Sequence, residues 1–551
     1  MSFYIGIDVG TGSARAGLFN RQGRLLGSAA APIETFRPTP ELAQQSSADI
    51  WSAVVTAVRE TMTASGVDAG AVSGIGFDAT CSLVVAGEGG APVTVSLDGA
   101  PDQDVILWMD HRAIADAEAI TQTRSRVLDH VGGIMSPEME IPKLRWLKRE
   151  LPQSWKRAET FWDLPDWLVH RATGSDIRSV CSSTCKWTYL GHEGLQGEGW
   201  DAHFFEAIGL SDLAQRAFGQ IGTRFAAAGV RAGGLTPSAA QDLGLVADTA
   251  VSTGLIDAYA GALGTLATGD GEGGLDLGAR LAVIAGTSTC HIALTRKPMY
   301  VPGIWGPYFA VLLDDWWANE GGQSAAGASL DHVLARHAAA AELTASYPER
   351  RPADVLNERL ALLSEETCYL TRQRHVQPDF HGNRSPLAEP WRKGASVGLT
   401  LDAGLDDLAV EYLATQQALA YGTRHIIEVL RGKGVMVDTL VVSGGLARNP
   451  LYLREHADAS GCRVLVPDQA EPVLLGSAML GAAAAGDYAS LDAAMRSMSG
   501  PAKVIEPRGG EIARYHDAKY AVFRRMQDDY AAYYALMSGA DASSETRETR
   551  S

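Results

Sequence analysis

The sequence predicts an α/β protein of two related halves with a ligand cleft between them, and three observations lead there. A strand-turn-strand unit at residues 4–16, YIGIDVGTGSARA, returns at 281–294, LAVIAGTSTCHIAL, with Gly, Thr and a further hydroxyl in each turn. Runs with strand periodicity alternate with amphipathic helical runs along most of the chain. The 551 residues, 46% hydrophobic and 20% charged, suffice for two or more cores.

In the first unit Tyr4, Ile5, Ile7 and Val9 form a nearly continuous apolar strand that runs into Gly10-Thr11-Gly12-Ser13, and Ala14, Ala16 and Leu18 share one side of the strand that follows. Glycine permits unusual φ values and close backbone approach, and Thr11 and Ser13 add hydroxyl donors, so the turn suits an anion. Asp8 would repel a bare phosphate; it makes sense with a divalent metal or its water shell in between. An ordinary hairpin is the competing reading of this turn taken alone. Asn20-Arg21-Gln22-Gly23 is a second turn and 24–30 a strand, which completes a three-stranded meander. Trp51, Val54, Val55, Val58 and Met62 mark an amphipathic helix behind Ser47 and Asp49 as cap candidates. The strand at 71–77 ends in Asp78-Ala79-Thr80-Cys81, and ligands usually lie at the carboxyl ends of strands in α/β sheets. Residues 105–112, VILWMDHR, deliver Asp110, His111 and Arg112 in the same way. A Trp-rich stretch, 146–187, reads as helices and loops over the cleft. Within it Lys186, between Cys185 and Trp187, needs a partner charge or a substrate oxygen unless it snorkels to the surface.

The pattern restarts near 251 with a strand closing at Asp257, a Gly/Ala-rich helix and a Gly and acidic loop at 269–278. The second turn, Gly286-Thr287-Ser288, echoes the first, and the pair suggests one polyphosphate gripped from both sides. WWANEGGQS, 316–324, sets Glu320 ahead of a Gly-Gly turn. A long helix covers 407–430, and the strand at 439–442 opens into Ser443-Gly444-Gly445 before a helix beginning near Asn449 and Pro450. Such glycines leave room for a flat ring or a phosphate against the backbone. A small-residue helix at 473–485 suits close packing, and the polar tail 538–551 is expected to be disordered. The domains expected are 1–250 and 251–537.

Composition removes several classes of function. Lys and Arg number 47 against 65 Asp and Glu, a formal net charge of −18 with a pI near 5.2, which disfavours nucleic acid and anionic membranes. The six cysteines are too sparse for a disulfide framework and fit reduced thiols; Cys181 and Cys185 read as packing residues rather than zinc ligands. No leader pattern and no run of ~18 apolar residues is present, so a soluble cytoplasmic protein is expected.

GIDVGTGS, GLIDAYAG (254–261), AGTSTC and SGGLARNP (443–450), in that order, resemble the phosphate, metal and base, second phosphate and adenosine motifs of the FGGY carbohydrate kinases, within the actin-like ATPase superfamily. The resemblance runs from about residue 4 to 530. KLRWLKRE, 143–150, matches the later part of a family signature, whereas Glu140 stands where Pro, Ser or Thr is usual. DATC, WMDHRA, TCKW, AGTSTCH, NEGGQS and DFHGNRSP (379–386) resemble the ribulokinase branch, most of all its D-ribulose kinases.

The fold this implies is a pair of actin-like (ribonuclease H-like) ATPase domains, and the activity is ATP-dependent phosphorylation of the terminal hydroxyl of a ketopentose, with Mg2+. Asp257 is implied as the catalytic base and, with Asp8, as a metal ligand. Sugar contacts fall on Asp78, Ala79, Thr80, Cys81, Asp110, Lys186, Asp257 and Glu320; Thr11, Gly12, Ser13, Gly286, Thr287 and Ser288 face the phosphates; Gly444, Gly445 and Asn449 line the adenosine. Read without the resemblance, Asp257 is better explained as a helix N-cap. The partner is a small-molecule sugar rather than nucleic acid or membrane, with a homodimer as the assembly to test. Kinases of L-ribulose, ribitol or another pentulose or polyol are alternatives. A chaperone-like or filament-forming ATPase on the same fold is an alternative of another class, against which stands the lack of a peptide-binding domain. Intact Asp8 and Asp257 argue against a silent sugar-binding regulator.

Overall fold

The computed structural model describes residues 2–269 and 275–548, with side chains to 538. Five residues of the expected loop at 269–278, namely 270–274, lie outside it. The chain divides into two units: unit 1 holds 1–282, 292–320 and 467–503, and unit 2 holds 283–291, 321–466 and 504–551. The boundary expected at residue 250 is not where the chain divides, because the strands on either side of it belong to the first sheet and later segments return to unit 1.

Unit 1 is built on β1 (Phe3–Val9), β2 (Ser13–Asn20), β3 (Leu25–Pro32), β4 (Val72–Ala79), β5 (Arg231–Gly234), β6 (Ala250–Ser252) and β7 (Leu255–Ile256). They form one seven-stranded sheet in the order β5-β6-β4-β1-β2-β3, with β7 also on β4. The expected meander is there: β1, β2 and β3 pair antiparallel. β1 and β4 run parallel, in a register that sets Asp8 opposite Asp78. The apolar residues Ile5, Ile7, Val9, Ala14, Ala16 and Leu18 enter a core shared with Val54 and Val58 of the Ser47–Ser65 helix. Ser46, one residue before the cap candidates, caps that helix by accepting from the Asp49 N–H.

The small-residue helix, Pro472–Ala484, packs backbone to backbone on this sheet. A Cβ at Gly6 would lie 1.9 Å from the Leu474 carbonyl oxygen, and one at Gly76 equally close to that of Ser477. Glycine in β1 and β4 is therefore what lets the helix seat, and seating it brings Ser477 to the carboxyl end of β4.

Three more segments complete the frame. With β8 (Arg280–Ala285), β9 (Thr289–Thr295), β10 (Trp305–Phe309) and β11 (Trp317–Gln323) in sequence, β10 pairs antiparallel with β11 and sets Trp305 opposite Glu320. The expected Gly-Gly turn after Glu320 is instead strand: Gly321 and Gly322 continue β11, since a Cβ on Gly322 would sit 2.8 Å from the Thr289 carbonyl oxygen and only glycine allows that approach. In unit 2 the ends of β8 and β9 that flank the second turn join β12 (Thr439–Ser443) and β13 (Arg463–Pro467) in the order β9-β8-β12-β13, with β12 and β13 parallel. The long helix expected over 407–430 spans Leu405–Gly432. The final helix, Glu511–Glu548, carries helical backbone into the tail expected to be disordered; polar composition alone does not end a helix, and 549–551 lie outside the described residues.

Candidate active site

Three carboxylates meet in unit 1 because three strand ends do. Asp8 and Asp78 are register partners on β1 and β4, and β7, paired along the end of β4, places Asp257 immediately after its own last residue. Arg15 donates from Nε to Asp8 Oδ2 at 2.9 Å and from Nη2 to the same oxygen, while its Nη1 reaches Glu471 at 3.0 Å. Asp78 is fully buried; Ser477 donates to its Oδ2, and its Oδ1 has no hydrogen-bond partner among the described residues. Burial, then the neighbouring Asp8, pushes the Asp78 carboxyl well above its ordinary pKa. Asp257 is raised to about 7 by burial and then by Asp8, against which the Ala258 N–H and the Lys186 charge work. The N-cap position belongs to Ile256, and Asp257 is the first helical residue, its Oδ1 accepting from the Ala258 N–H at 2.7 Å. The N-cap reading of Asp257 is thereby corrected. Converging carboxylates, two of them raised by burial and by Asp8, with one buried oxygen of Asp78 lacking a partner among the described residues, are a donor set for a hard divalent cation such as Mg2+.

The Lys186 side chain is buried, not snorkelling: Nζ lies 3.6 Å from Glu320 Oε1 and 4.2 Å from the centroid of the Trp305 ring. Burial opposes the ammonium, yet Glu320 and then Cys81 more than offset it and hold its pKa above the ordinary value. Glu320 Oε2, the Tyr259 hydroxyl and Thr184 Oγ1 are buried without hydrogen-bond partners among the described residues. Cys81 is buried as well, and burial pushes its thiol well up; Lys186, Asp163, Glu140 and Lys143 are the charged groups around it. Ala79 and Thr80 complete this wall, with Thr80 N–H bound to the Val9 carbonyl at 3.0 Å and its Oγ1 3.1 Å from Ser82 Oγ. Asp110 departs from expectation. Arg112 donates to its Oδ1 from Nε at 2.7 Å and to its Oδ2 from Nη2 at 2.8 Å, and the Ala43 N–H takes Oδ2 at 2.7 Å. With both oxygens engaged, Asp110 is an anchor for Arg112 and for the chain at Ala43.

Sequence reasoning missed Arg15, Ser477, Tyr259 and Asp163 here. Arg15 carried a signal, a charge in an otherwise apolar strand directly after the turn. Ser477 carried none, lying 399 residues from its partner Asp78.

The two turns are built alike. Gly10 N–H donates to the Ser13 carbonyl at 3.0 Å, and Gly286 N–H to that of Ser288 at 2.9 Å. Thr11 Oγ1 accepts from the Trp108 indole at 3.1 Å, and Thr287 is exposed. Neither turn uses left-handed backbone at Gly10, Gly12 or Gly286, contrary to the φ argument from sequence. The gain is space: a Cβ at Gly12 would meet nothing within 4 Å, and one at Gly286 only the Ser288 carbonyl at 3.8 Å. Gly444, at φ 90°, comes so close to the backbone leading into the second turn that its Cβ would lie 2.5 Å from the Ala285 carbonyl, and Gly445 beside it faces open space. Bared backbone of this kind suits an anion at each turn taken by itself and a flat ring at Gly445. Asn449 does not join them. Its Oδ1 accepts from Leu451 and Tyr452 N–H as a helix N-cap and from Asn357, and its Nδ2 donates to Gln416 at 3.1 Å.

Residues 3–264 match the N-terminal domain, and 281–485 the C-terminal domain, of the FGGY family of carbohydrate kinases. A human FGGY carbohydrate kinase domain-containing protein is 44% identical over 547 residues, 97% of this chain and 98% of the relative. A D-ribulokinase of Saccharomyces cerevisiae is 41% identical over 520 residues, 88% of this chain and 72% of the relative. The crystal structure of a ligand-bound xylulose kinase from Lactobacillus acidophilus superposes with a TM-score of 0.79 at 17% identity, covering 98% of this chain and all of that one.

Proposed function

Because the chain belongs to the FGGY family of carbohydrate kinases, we propose that it transfers the γ-phosphoryl group of ATP to the terminal hydroxyl of a ketopentose, D-ribulose foremost. The observation that carries the reading is Asp257, a carboxyl tuned to about 7 at the carboxyl end of a strand beside Asp8. A base poised near the working pH is well matched to accept the hydroxyl proton. In a loose transition state that proton leaves late, so Asp257 chiefly orients the nucleophile. Lys186 donates to a sugar oxygen, kept charged by Glu320, and the partnerless Glu320 Oε2 and Tyr259 hydroxyl meet sugar hydroxyls. Asp78, held by Ser477, and the Ala79-Thr80-Cys81 backbone shape the floor of the sugar site. Thr11, Gly12 and Ser13 address one part of the phosphate chain and Gly286, Thr287 and Ser288 another, while Gly444 and Gly445 line the adenosine. Asp8 and Asp257 would hold Mg2+, which neutralises phosphate charge when bound.

The cysteines are few and, apart from Cys290, buried, which fits a reducing compartment such as the cytoplasm, and no described helix is long and apolar enough to cross a membrane. A homodimer is the assembly to look for by sedimentation. ADP release measured in parallel with D-ribulose, L-ribulose, D-xylulose, ribitol and glycerol tests the proposal. Release dependent on a pentulose supports it, a preference for L-ribulose or ribitol shifts only the epimer, and a steady rate indifferent to every sugar would favour an actin-like ATPase of another kind.

A further inference from the structure

We propose that Asp163 and Glu140 determine acceptor specificity by binding hydroxyls of the sugar other than the one phosphorylated, an inference that rests on the kinase reading above. Both side chains are held by one bond and left with one oxygen to offer. Asp163 ends the Thr160–Asp163 strand, which pairs with Leu83–Ala86 so that Leu83 opposes Asp163, and the next N–H, of Leu164, donates to the Ser82 carbonyl at 2.9 Å. That places Asp163 against the residues that follow Asp78-Ala79-Thr80-Cys81. The Trp187 indole, one residue beyond Lys186, donates to its Oδ2 at 2.9 Å, and Oδ1 has no partner among the described residues. Glu140 opens the Glu140–Glu150 helix; Lys143 donates to its Oε1 at 3.2 Å and also holds the Glu138 carbonyl at 3.3 Å, while Oε2 has no partner among the described residues.

Asp163 and Glu140 are 1% and 0% exposed, so bulk water cannot satisfy the two oxygens. The charges of both act on the Cys81 thiol, as does that of Lys186, the lysine assigned to the sugar. A buried acceptor without a partner is costly to maintain, and a ligand that supplies donors there recovers the cost. Burial raises both carboxyls, Glu140 to about 7 and Asp163 well above its ordinary value, and a hydroxyl serves either protonation state because it both donates and accepts. The chemical class selected is thus an uncharged polyhydroxylated chain, with at least two hydroxyls read by these carboxyls.

The test uses the full-length protein with D-ribulose and analogues lacking one hydroxyl at a time. Asp163→Asn and Glu140→Gln should each raise the sugar KM by roughly 10- to 100-fold, leave the ATP KM unchanged, and stop discriminating against one deoxy analogue that the parent rejects. A purely structural role would lower stability without removing that selective discrimination. Trp187→Phe, which removes the indole donor and keeps the Asp163 carboxyl, should raise the sugar KM several-fold over the parent with the ATP KM unchanged, and it carries the test where Asp163→Asn fails to fold. Variants that fold, bind sugar as the parent does and retain every preference would overturn the inference while leaving the kinase reading intact. A parent enzyme that phosphorylates no sugar would remove both.

Discussion

Replacing Asp257 with Asn separates the base from the geometry around it. Asn keeps the size and can still accept the Ala258 N–H and hydrogen-bond a hydroxyl, but it cannot take the proton. Loss of a general base costs ~10²- to 10⁴-fold in rate, so turnover should collapse with ATP affinity retained. The same substitution has a stability signature whose sign follows from the raised pKa. The folded protein holds the Asp257 proton up to about 7 whereas the unfolded chain releases it near 3.8, so the parent loses stability as pH rises between those values. At ~1.36 kcal/mol per pKa unit the loss has an upper bound of about 4 kcal/mol, reduced by the partial accessibility of the side chain. Asn does not titrate. The variant should therefore melt close to the parent at pH 4 and above it at pH 8, by a margin that shrinks when Mg2+ is added and the carboxylate gains a counter-charge. In the parent assayed with Mg2+, kcat/KM should rise with pH to a plateau, with a midpoint below 7, since the cation's charge favours the carboxylate. Turnover within a few-fold of the parent, or a melting difference that ignores pH, would refute the assignment.

Other expectations are simpler to read. Lys186→Met leaves Glu320 buried without its cation and should cost ~3–5 kcal/mol in chemical denaturation, and the double variant with Glu320→Gln should regain most of that stability without regaining activity. Gly6→Ala pushes a Cβ into the Leu474 carbonyl, so circular dichroism should show a protein that does not fold or melts far below the parent. Asn449→Ala removes an N-cap and should lower stability by ~1 kcal/mol with the ATP KM unchanged, whereas a large rise in that KM would restore Asn449 to the adenosine site.

What the sequence disclosed follows from how local each signal is. The meander, the two turns and the strand leading to Asp78 were legible because strand period and turn glycines are written in neighbouring residues. The domain boundary was not, because β6 and β7 join the first sheet through pairing with β4, some 180 residues upstream, and nothing between 240 and 260 announces it. Asp257 and Glu320 were placed in the second half by order along the chain; the pairing of β7 with β4 draws Asp257 into unit 1, and Glu320 belongs to that unit as well. Lys186 was readable as a lysine in apolar company, but its partner was not, since Lys186 ends a helix and Glu320 arrives on a strand far downstream. Asp110 and Asn449 show the opposite error. Polar residues at strand ends and helix starts invite a ligand in sequence, yet here an arginine and a helix terminus take up their hydrogen bonds first.

The central claim, transfer from ATP to a ketopentose hydroxyl at Asp257, is tested most directly by identifying the product. Phosphorus NMR of a reaction with D-ribulose, ATP and Mg2+ should show one phosphomonoester per ADP formed, coupled to the protons of the terminal carbon and absent with Asp257→Asn. Inorganic phosphate formed at the same rate with or without the sugar, and no phosphomonoester from any pentulose, would contradict the account.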